Sequence, residues 1–412
     1  MDKLLSNDHF EISNGDKIIN INSLANKKIE RGEKVINATV GMLYDENHEL
    51  VSFSLVDQAL REINFKETQV YGKVDGGEKF FKSVYKWLFE NVNFEGVYSA
   101  IIPSMGATGA IYLSVRNYCS KDQDVIVSSI RWSNYDSIVL QFGNSIKEYN
   151  FFNSDDCFDV ESFKDAVNQS CNKYRRAYII INDPCHNPTG YSLNTNEWIE
   201  ILSFLNDKSL DYQIVLLVDI AYINYCDNDY DEIFSIMSKF LTENFMIQLT
   251  FSASKTLSIY GFRGGALIGL SSKEEVINYF KKACEDTLRA TWALPNNLTN
   301  RVIDYCFESK EKRLKLRKEL LLAKEMLDQR AKLFIKESEI QNLIVYPYNN
   351  GFFVLVSCEK ANIVCNDLIR KNIFVVPMSG GLRISLASVC KNQIRTLVKE
   401  IKESIKTSDN SF

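Results

Sequence analysis

The chain has few of the residues that metal sites and disulfide frameworks require. It carries three histidines in 412 residues, and its ten cysteines are scattered singly, without a C-x-x-C pair. Zinc sites need closely spaced ligands and disulfide-rich folds need paired cysteines, so neither is predicted. Residues 1–8 form no apolar signal segment. We therefore expect a cytoplasmic protein with reduced thiols.

Strongly basic segments and long apolar runs are also missing. The formal net charge of -5 argues against a surface for nucleic acid or anionic lipid. No apolar run approaches the ~20 residues needed to span a bilayer. The apolar share of 45% and the charged share of 25% are ordinary for a globular protein. We expect no nucleic-acid partner and no membrane partner.

The middle of the chain alternates short apolar runs with helical patterns. The runs are rich in Ile and Val, as expected for strands covered on both faces, and helices are predicted over 109–118 and 196–205. This alternation predicts an α/β fold with a doubly wound, mostly parallel sheet. The predicted strands are 99–102, 124–128, 177–182, 213–219, 245–251 and 266–270.

The pattern changes near residue 296, where a long helix is predicted. Residues 308–337 are dense in Lys, Glu, Leu and Arg and contain no Gly or Pro. Strands at 343–345, 352–356 and 374–376 and a helix at 361–370 complete a smaller α+β domain. We expect residues 1–48 to form an N-terminal arm that joins the small domain, 49–295 a large ligand-binding domain, and 296–412 the small domain.

A lysine follows the predicted strand 245–251. Lys255 lies in the segment S-A-S-K-T, and Arg263 comes eight residues later. An amine shielded from water loses its proton more readily and becomes a nucleophile toward an aldehyde. Ser252, Ser254 and Arg263 suit a phosphate. An aldehyde and a phosphate on one small molecule indicate pyridoxal 5'-phosphate, although a surface lysine at a strand end would give the same local pattern.

Other polar residues follow neighbouring strands, at the edge where open α/β sheets bind ligands. Asp219 ends the strand 213–219, and a buried carboxylate there needs a cationic partner such as a protonated pyridine nitrogen. A helix cap is the alternative role for Asp219. Tyr222 follows three residues later. Asn187 lies in the rigid turn H-N-P-T-G and is predicted to reach the same edge.

A glycine-rich turn and a tryptophan complete the set. Gly106, Ala107 and Thr108 follow a strand and open a helix, where free N–H groups favour a phosphate. Trp132 could otherwise belong to the core, but in this company it is predicted to stack on a flat ring.

These residues, in this order, resemble the fold-type I pyridoxal-phosphate enzymes, and within them the aspartate aminotransferase family. The resemblance runs from about Val40 to Arg383. It implies a seven-stranded-type sheet and a pyridoxal 5'-phosphate cofactor. It makes Lys255 the Schiff-base lysine, Asp219 the pyridinium partner, and Tyr222 and Asn187 the ligands of the ring hydroxyl. By the same resemblance the phosphate cup is Gly106, Ala107, Thr108, Ser252 and Arg263, and Trp132 stacks on the ring.

The resemblance also implies a substrate site shared between two subunits. Arg383 matches the arginine that clamps the α-carboxylate, and a guanidinium fork fits a carboxylate well. Arg289 matches a loop arginine sent from the partner subunit to the distal carboxylate of aspartate or glutamate. Tyr71 matches a tyrosine that reaches the neighbour's phosphate, which implies a homodimer. Gly41 falls where the family's N-terminal loop closes over substrate, and Trp132 and Asn187 also face the substrate.

The sequence departs from the family pattern at several positions. Leu294 and Pro295 lie where Ser-Asn-Pro-Pro is usual, and Tyr135 and Asn182 occupy positions where histidine is common. These departures leave aromatic donors open beside aspartate. The predicted reaction is ping-pong transamination from an L-amino acid to a 2-oxoacid such as 2-oxoglutarate. A lyase or decarboxylase on the same fold is the alternative enzyme, and a non-catalytic ligand-sensing relative is the alternative from another class.

Overall fold

A computed structural model of the protein describes residues 17–409. The first part of the predicted N-terminal arm, residues 1–16, lies outside these bounds. The strands are β1 Ile36–Asn37, β2 Tyr98–Met105, β3 Asp124–Ser128, β4 Ser145–Tyr149, β5 Arg176–Asn182, β6 Gln213–Asp219, β7 Phe245–Ser252, β8 Gly264–Ser271, β9 Phe353–Ser357, β10 Ile373–Phe374, β11 Val376–Met378 and β12 Gly381–Ser385.

The helices lie between these strands and after them. They are α1 Lys17–Glu30, α2 Ser54–Glu62, α3 Phe65–Thr68, α4 Gly77–Phe89, α5 Gly106–Tyr118, α6 Asn134–Gln141, α7 Val160–Tyr174, α8 Thr195–Lys208, α9 Tyr230–Lys239, α10 Ala253–Thr256, α11 Glu274–Thr291, α12 Asn297–Phe307, α13 Lys310–Ile340, α14 Ala361–Arg370 and α15 Lys391–Asp409. No helix within residues 17–409 is long and apolar enough to cross a membrane.

Seven strands form one sheet in the order β2-β8-β7-β6-β5-β3-β4. Strand β8 runs antiparallel to both of its neighbours, and the pairings among β7, β6, β5, β3 and β4 are all parallel. This sheet confirms the predicted α/β class with a mostly parallel central sheet. The six predicted central strands form near their expected positions.

Helices cover both faces of the sheet because successive strand residues point to opposite sides. In β6, Leu216 and Val218 join one apolar cluster, whereas Val215 and Leu217 join the cluster on the other face. The second face packs against α5, α6 and α11. Helix α8 begins with a capping box, in which Asn194 and Glu197 each bond the other's backbone N–H.

Strand β4 was missed by the sequence analysis. It lies at the sheet edge and pairs with β3 alone, so its residues Ser145–Tyr149 are mostly polar and partly exposed. An edge strand of this kind lacks the apolar run on which the prediction depended.

The C-terminal part of the chain forms its own apolar cluster around the antiparallel sheet β11-β12-β9. The arm adds β1, which pairs in parallel with β10. Two strand predictions here were wrong. Residues 343–345 contribute one isolated bridge from Val345 to Val356, and the predicted strand 374–376 is divided between β10 and β11. The exact domain boundaries stay a prediction.

Candidate active site

The ends of four strands bring the predicted polar residues to one edge of the large sheet. Register pairs Asn182 with Asp219 and Asp219 with Thr250 across β5, β6 and β7. Met105 of β2 and Ser252 of β7 flank β8 and lie opposite its adjacent residues Gly264 and Gly265. Because these strands share one direction, their carboxyl ends open on a single cavity of about 300 Å³.

Most of the predicted site residues line this cavity. The predicted residues on its wall are Gly41, Ala107, Thr108, Trp132, Asn187, Asp219, Tyr222, Ser252, Lys255, Arg263 and Arg383. Gly106 adjoins the cavity residue Ala107, and a Cβ on Gly106 would meet the cavity residue Arg263. The structure therefore brings together residues that span most of the chain, from the arm to β12.

Lys255 lies in the single turn α10, directly after β7. Its Nζ donates a hydrogen bond to the Gly41 carbonyl at 2.5 Å and lies 4.9 Å from the centre of the Tyr260 ring. The pKa of Lys255 is lowered to about 7, chiefly by burial and then by the positive charges of Arg263 and Arg383, while the negative charge of Asp219 opposes this shift. Near neutral pH a large share of this amine is therefore unprotonated and nucleophilic.

Asp219 is buried at the tip of β6. Its Oδ1 accepts hydrogen bonds from Thr250 Oγ1 at 2.7 Å and from the Ala221 N–H at 3.2 Å, and its Oδ2 accepts one from Tyr135 Oη at 2.7 Å. Burial raises the pKa of this carboxyl, while these hydrogen bonds favour the ionised form. A cationic group placed in the cavity would stabilise the carboxylate further.

The glycine-rich turn opens α5 beside a guanidinium. Gly106 has φ +69°, and a Cβ there would lie 2.9 Å from Arg263 Nη2. Glycine thus permits both the backbone conformation and the close approach. Arg263 donates through Nη1 to Ser254 Oγ at 3.2 Å and to the Tyr260 carbonyl at 2.9 Å. Free N–H groups of a 13-residue helix, hydroxyls and an arginine make this end suited to a phosphate.

Arg383, on β12, also lines the cavity and is 2% exposed. It donates to Asn187 Oδ1 at 3.2 Å and to the Thr39 carbonyl at 2.6 Å, and its guanidinium lies 4.4 Å from the Phe353 ring centre. A planar fork held in this way can bind a carboxylate with two parallel hydrogen bonds.

Trp132 and Gly41 also line the cavity. Trp132 presents its indole to the cavity and meets Tyr135 edge to face, with ring centres 5.5 Å apart. A Cβ on Gly41 would lie 2.7 Å from Phe353 Cζ and 3.4 Å from Lys255 Nζ. Only glycine therefore lets the backbone approach Phe353 and Lys255 this closely. Tyr222 is buried nearby, and burial raises the pKa of its phenol well above the ordinary value.

Two predicted site residues lie away from the cavity of this chain. Tyr71 is 90% exposed. Arg289 lies in the last turn of α11, not in a loop as expected, and donates to the Ala293 carbonyl at 3.3 Å. Neither lines the cavity, so their predicted roles toward a partner subunit stay predictions.

The sequence analysis did not include several residues that the structure adds to the site. Thr250 stands out as a polar residue inside the buried strand β7, which was an available signal. Tyr135 and Asn182 were noted as departures, and Asn182 links the end of β6 to the Asn187 turn by donating to the Asp219 carbonyl and accepting from the Asn187 N–H. Tyr260 and Phe353 carry no pattern that marks them before folding.

Comparison with known proteins agrees with this architecture. The family model for aminotransferase class I and II matches residues 33–401, and the chain belongs to this family. An aspartate aminotransferase from Haemophilus influenzae is 22% identical over 96% of this chain and 98% of its own length.

Solved structures extend the comparison. An aminotransferase from Anaerococcus prevotii superposes with a TM-score of 0.92 and 30% identity, covering 98% of this chain and 99% of that one. An aromatic-amino-acid aminotransferase from Burkholderia pseudomallei, covalently bound to pyridoxal phosphate, has a TM-score of 0.76 at 18% identity over 98% of this chain and 100% of that one.

The predicted enzyme class is therefore confirmed: the protein is a transaminase. The family model and the relatives are all aminotransferases, which disfavours the alternative of a lyase or decarboxylase on the same fold.

Proposed function

We propose that the protein is a pyridoxal 5'-phosphate-dependent aminotransferase that moves the amino group of an L-amino acid, foremost aspartate, to a 2-oxoacid such as 2-oxoglutarate. One observation carries the proposal. A buried lysine with a pKa of about 7 shares one cavity with a buried aspartate and two arginines. Amine, carboxylate and paired cations are the groups that the cofactor and an amino-acid carboxylate require.

The residues present fit the cofactor group by group. Gly106, where a side chain would collide with Arg263, leaves backbone N–H groups accessible to a phosphate, and Thr108 and Ser252 add hydroxyls. Trp132 offers a flat face. Asp219 offers a buried carboxylate for a protonated ring nitrogen. When bound, pyridoxal 5'-phosphate would supply an aldehyde carbon and a ring that withdraws electrons from the substrate Cα.

The chain's own residues then bind the substrate and move its protons. Arg383 binds the α-carboxylate and so fixes the substrate backbone. Lys255 acts as the base at Cα, because a pKa of about 7 lets it both accept and return a proton at neutral pH. Tyr222 stays protonated because its pKa is raised, and it serves with Asn187 as a ligand of the ring oxygen.

The choice of substrate depends on what meets its side chain. Arg289 of a partner subunit is the proposed ligand of a distal carboxylate, which favours aspartate and glutamate. Ile18, Val40 and Met42 also line the cavity, and their apolar surfaces favour aromatic donors as a second group of substrates. The relatives include enzymes named for both substrate groups.

A homodimer with shared sites follows from the same proposal. Tyr71 is almost fully exposed in the single chain, which suits a residue that completes a neighbour's site. Val70 beside it is also exposed and apolar. We also propose that the enzyme acts in the cytoplasm.

The test begins with the purified protein and added pyridoxal 5'-phosphate. Wild type should turn yellow and convert aspartate plus 2-oxoglutarate to oxaloacetate plus glutamate. Lys255→Ala should lose the near-visible absorbance and the activity, whereas Lys324→Ala, which replaces a buried lysine paired with Asp227 and Asp328 outside the cavity, should keep both. A wild type that stays colourless and takes up no cofactor contradicts the proposal.

A further inference from the structure

Two short turns of the cavity wall lie side by side and carry residues of the site. Lys255 belongs to the single turn α10, and Tyr222 directly precedes the 3₁₀ turn Ile223–Tyr225. A helix of one turn leaves most of its carbonyls without a partner inside the helix, so its position depends on contacts with other segments. Two side-chain hydrogen bonds join α10 to the 3₁₀ turn.

The first hydrogen bond comes from Tyr225 and reaches the backbone of the lysine. The Tyr225 hydroxyl donates to the Lys255 carbonyl at 3.1 Å. The Tyr225 N–H donates to the Tyr222 carbonyl at 2.9 Å. One residue therefore connects the main chain of Lys255 with the main chain of Tyr222.

The second hydrogen bond lies beside the first. Thr256 Oγ1 donates to Asn224 Oδ1 at 2.7 Å, and Thr256 is 1% exposed. Asn224 and Tyr225 are adjacent in the chain, as are Lys255 and Thr256. Because the two hydrogen bonds join neighbouring pairs, together they resist rotation of one turn against the other.

The Tyr225 ring is held in place by packing. The side chain is fully buried, and its ring meets Phe352 edge to face, with ring centres 4.8 Å apart. The Phe352 ring centre also lies 5.1 Å from that of Tyr222 and 5.5 Å from Lys255 Nζ. Burial raises the pKa of Tyr225 well above its ordinary value, so the phenol keeps its proton and remains a donor.

We propose that Tyr225, assisted by Asn224 and Thr256, is a positioning residue that fixes the Lys255 backbone relative to Tyr222, an inference that rests on the proposed function. Tyr225 does not line the cavity, so it acts through the backbone of the lysine and not on the substrate. A base must meet the substrate Cα in a reactive geometry, and a displacement of about 1 Å can cost about 100-fold in rate. Loss of the Tyr225 hydroxyl should therefore slow proton transfer and leave substrate binding intact.

Tyr225→Phe tests the proposal by removing the hydroxyl and keeping the ring. With aspartate and 2-oxoglutarate, kcat should fall about tenfold or more, and KM for aspartate should change less than about twofold because Arg383 is untouched. The matched control is Tyr178→Phe, which removes the hydroxyl of another fully buried tyrosine, bonded to Ser114 at 2.5 Å. This control should keep the wild-type kcat, and circular dichroism should verify that both variants fold.

Hydrogen exchange in the apoprotein gives a readout that needs no cofactor. The Leu257 N–H donates to the Ala253 carbonyl at 2.9 Å, and its exchange rate reports how often α10 opens. That rate should increase about fivefold in Tyr225→Phe, since one hydrogen bond to the turn is lost, and should stay at the wild-type value in Tyr178→Phe. Amides of β6 should keep their protection in both variants, which distinguishes local opening from general destabilisation.

Thr256 allows a rescue test that separates positioning from packing. Thr256→Val keeps the shape of the side chain but loses the hydroxyl, so kcat should fall as it does in Tyr225→Phe. Thr256→Ser keeps a hydroxyl for Asn224 and should retain most of the wild-type kcat. A role in packing alone predicts the opposite order, because serine leaves out a buried methyl group that valine retains.

The outcomes are distinguishable. Equal kcat in Tyr225→Phe and Tyr178→Phe, or an unchanged exchange rate of Leu257, overturns the positioning role and leaves the proposed function standing. A Thr256→Ser variant that is less active than Thr256→Val overturns that role as well. A wild type that takes up no pyridoxal 5'-phosphate overturns the proposed function, and this inference with it.

Discussion

The pH dependence of cofactor uptake should report the lowered pKa of Lys255. With a pKa of about 7, about one amine in ten is unprotonated at pH 6 and about nine in ten at pH 8. The uptake rate of the apoprotein should therefore rise about tenfold over this interval and then level off. An ordinary lysine, with a pKa of about 10.4, would be less than ~1% unprotonated at pH 8, and its reactivity would still be climbing at pH 9.

The assay is stopped-flow absorbance after mixing apoprotein with pyridoxal 5'-phosphate between pH 5.5 and 10. The cofactor's own ionisations are removed with a reference reaction, between the cofactor and a soluble lysine derivative over the same range. The reference rate is divided by the unprotonated fraction of the derivative's amine, and the rate of the apoprotein is then divided by the result. Arg263→Gln should move the midpoint upward, because the positive charge of Arg263 is the largest electrostatic cause of the lowered pKa after burial.

A corrected rate that keeps climbing through pH 9 would refute the reasoning. It would mean that the Lys255 amine is hydrated in solution, and that neither burial nor the neighbouring arginines act on it as the structure indicates.

Three further substitutions test separate parts of the site. Arg383→Lys keeps the charge but loses the planar guanidinium fork, so kcat/KM for aspartate should fall about 100-fold or more. The control is Arg313→Lys, at a buried arginine that is bonded to Glu90 outside the cavity, and it should leave kcat/KM nearly unchanged. Arg289→Ala should impair aspartate turnover far more than phenylalanine turnover in paired steady-state assays; equal losses would remove the distal-carboxylate role. Gly106→Ala should weaken cofactor binding in equilibrium titration and lower the free energy of unfolding by about 1–2 kcal/mol, because the φ of Gly106 is +69° and the added Cβ would crowd Arg263. An unchanged affinity would contradict a phosphate site at this turn.

Much of the central fold could be read from the sequence because its signals are local. Strands β5, β6 and β7 are buried on both faces and are therefore continuously apolar, and the predicted runs lie close to the observed strands. Strand β4 escaped prediction because an edge strand needs no such run. Residues 343–345 are apolar like a strand but make a single bridge, since their pairing depends on a neighbour distant in sequence.

Some site residues could likewise be predicted from the local sequence, and others could not. Lys255 and Asp219 were predicted because each lies at the carboxyl end of a strand, and the topology of a parallel sheet places such positions together. Tyr260 and Phe353 face the cavity through loop and sheet geometry, and nothing in their local sequence marks them.

The sequence by itself determined the class of the fold and the chemical groups at the strand ends, because hydrophobic runs and the residues that follow them are properties of short segments. The tertiary structure alone decided how those groups act on one another. The lowered pKa of Lys255 depends on burial and on two arginines, of which Arg383 is distant in the chain, and the ionisation of Asp219 depends on hydroxyls from α6 and β7. Charge and burial act through space, and folding sets which residues share that space.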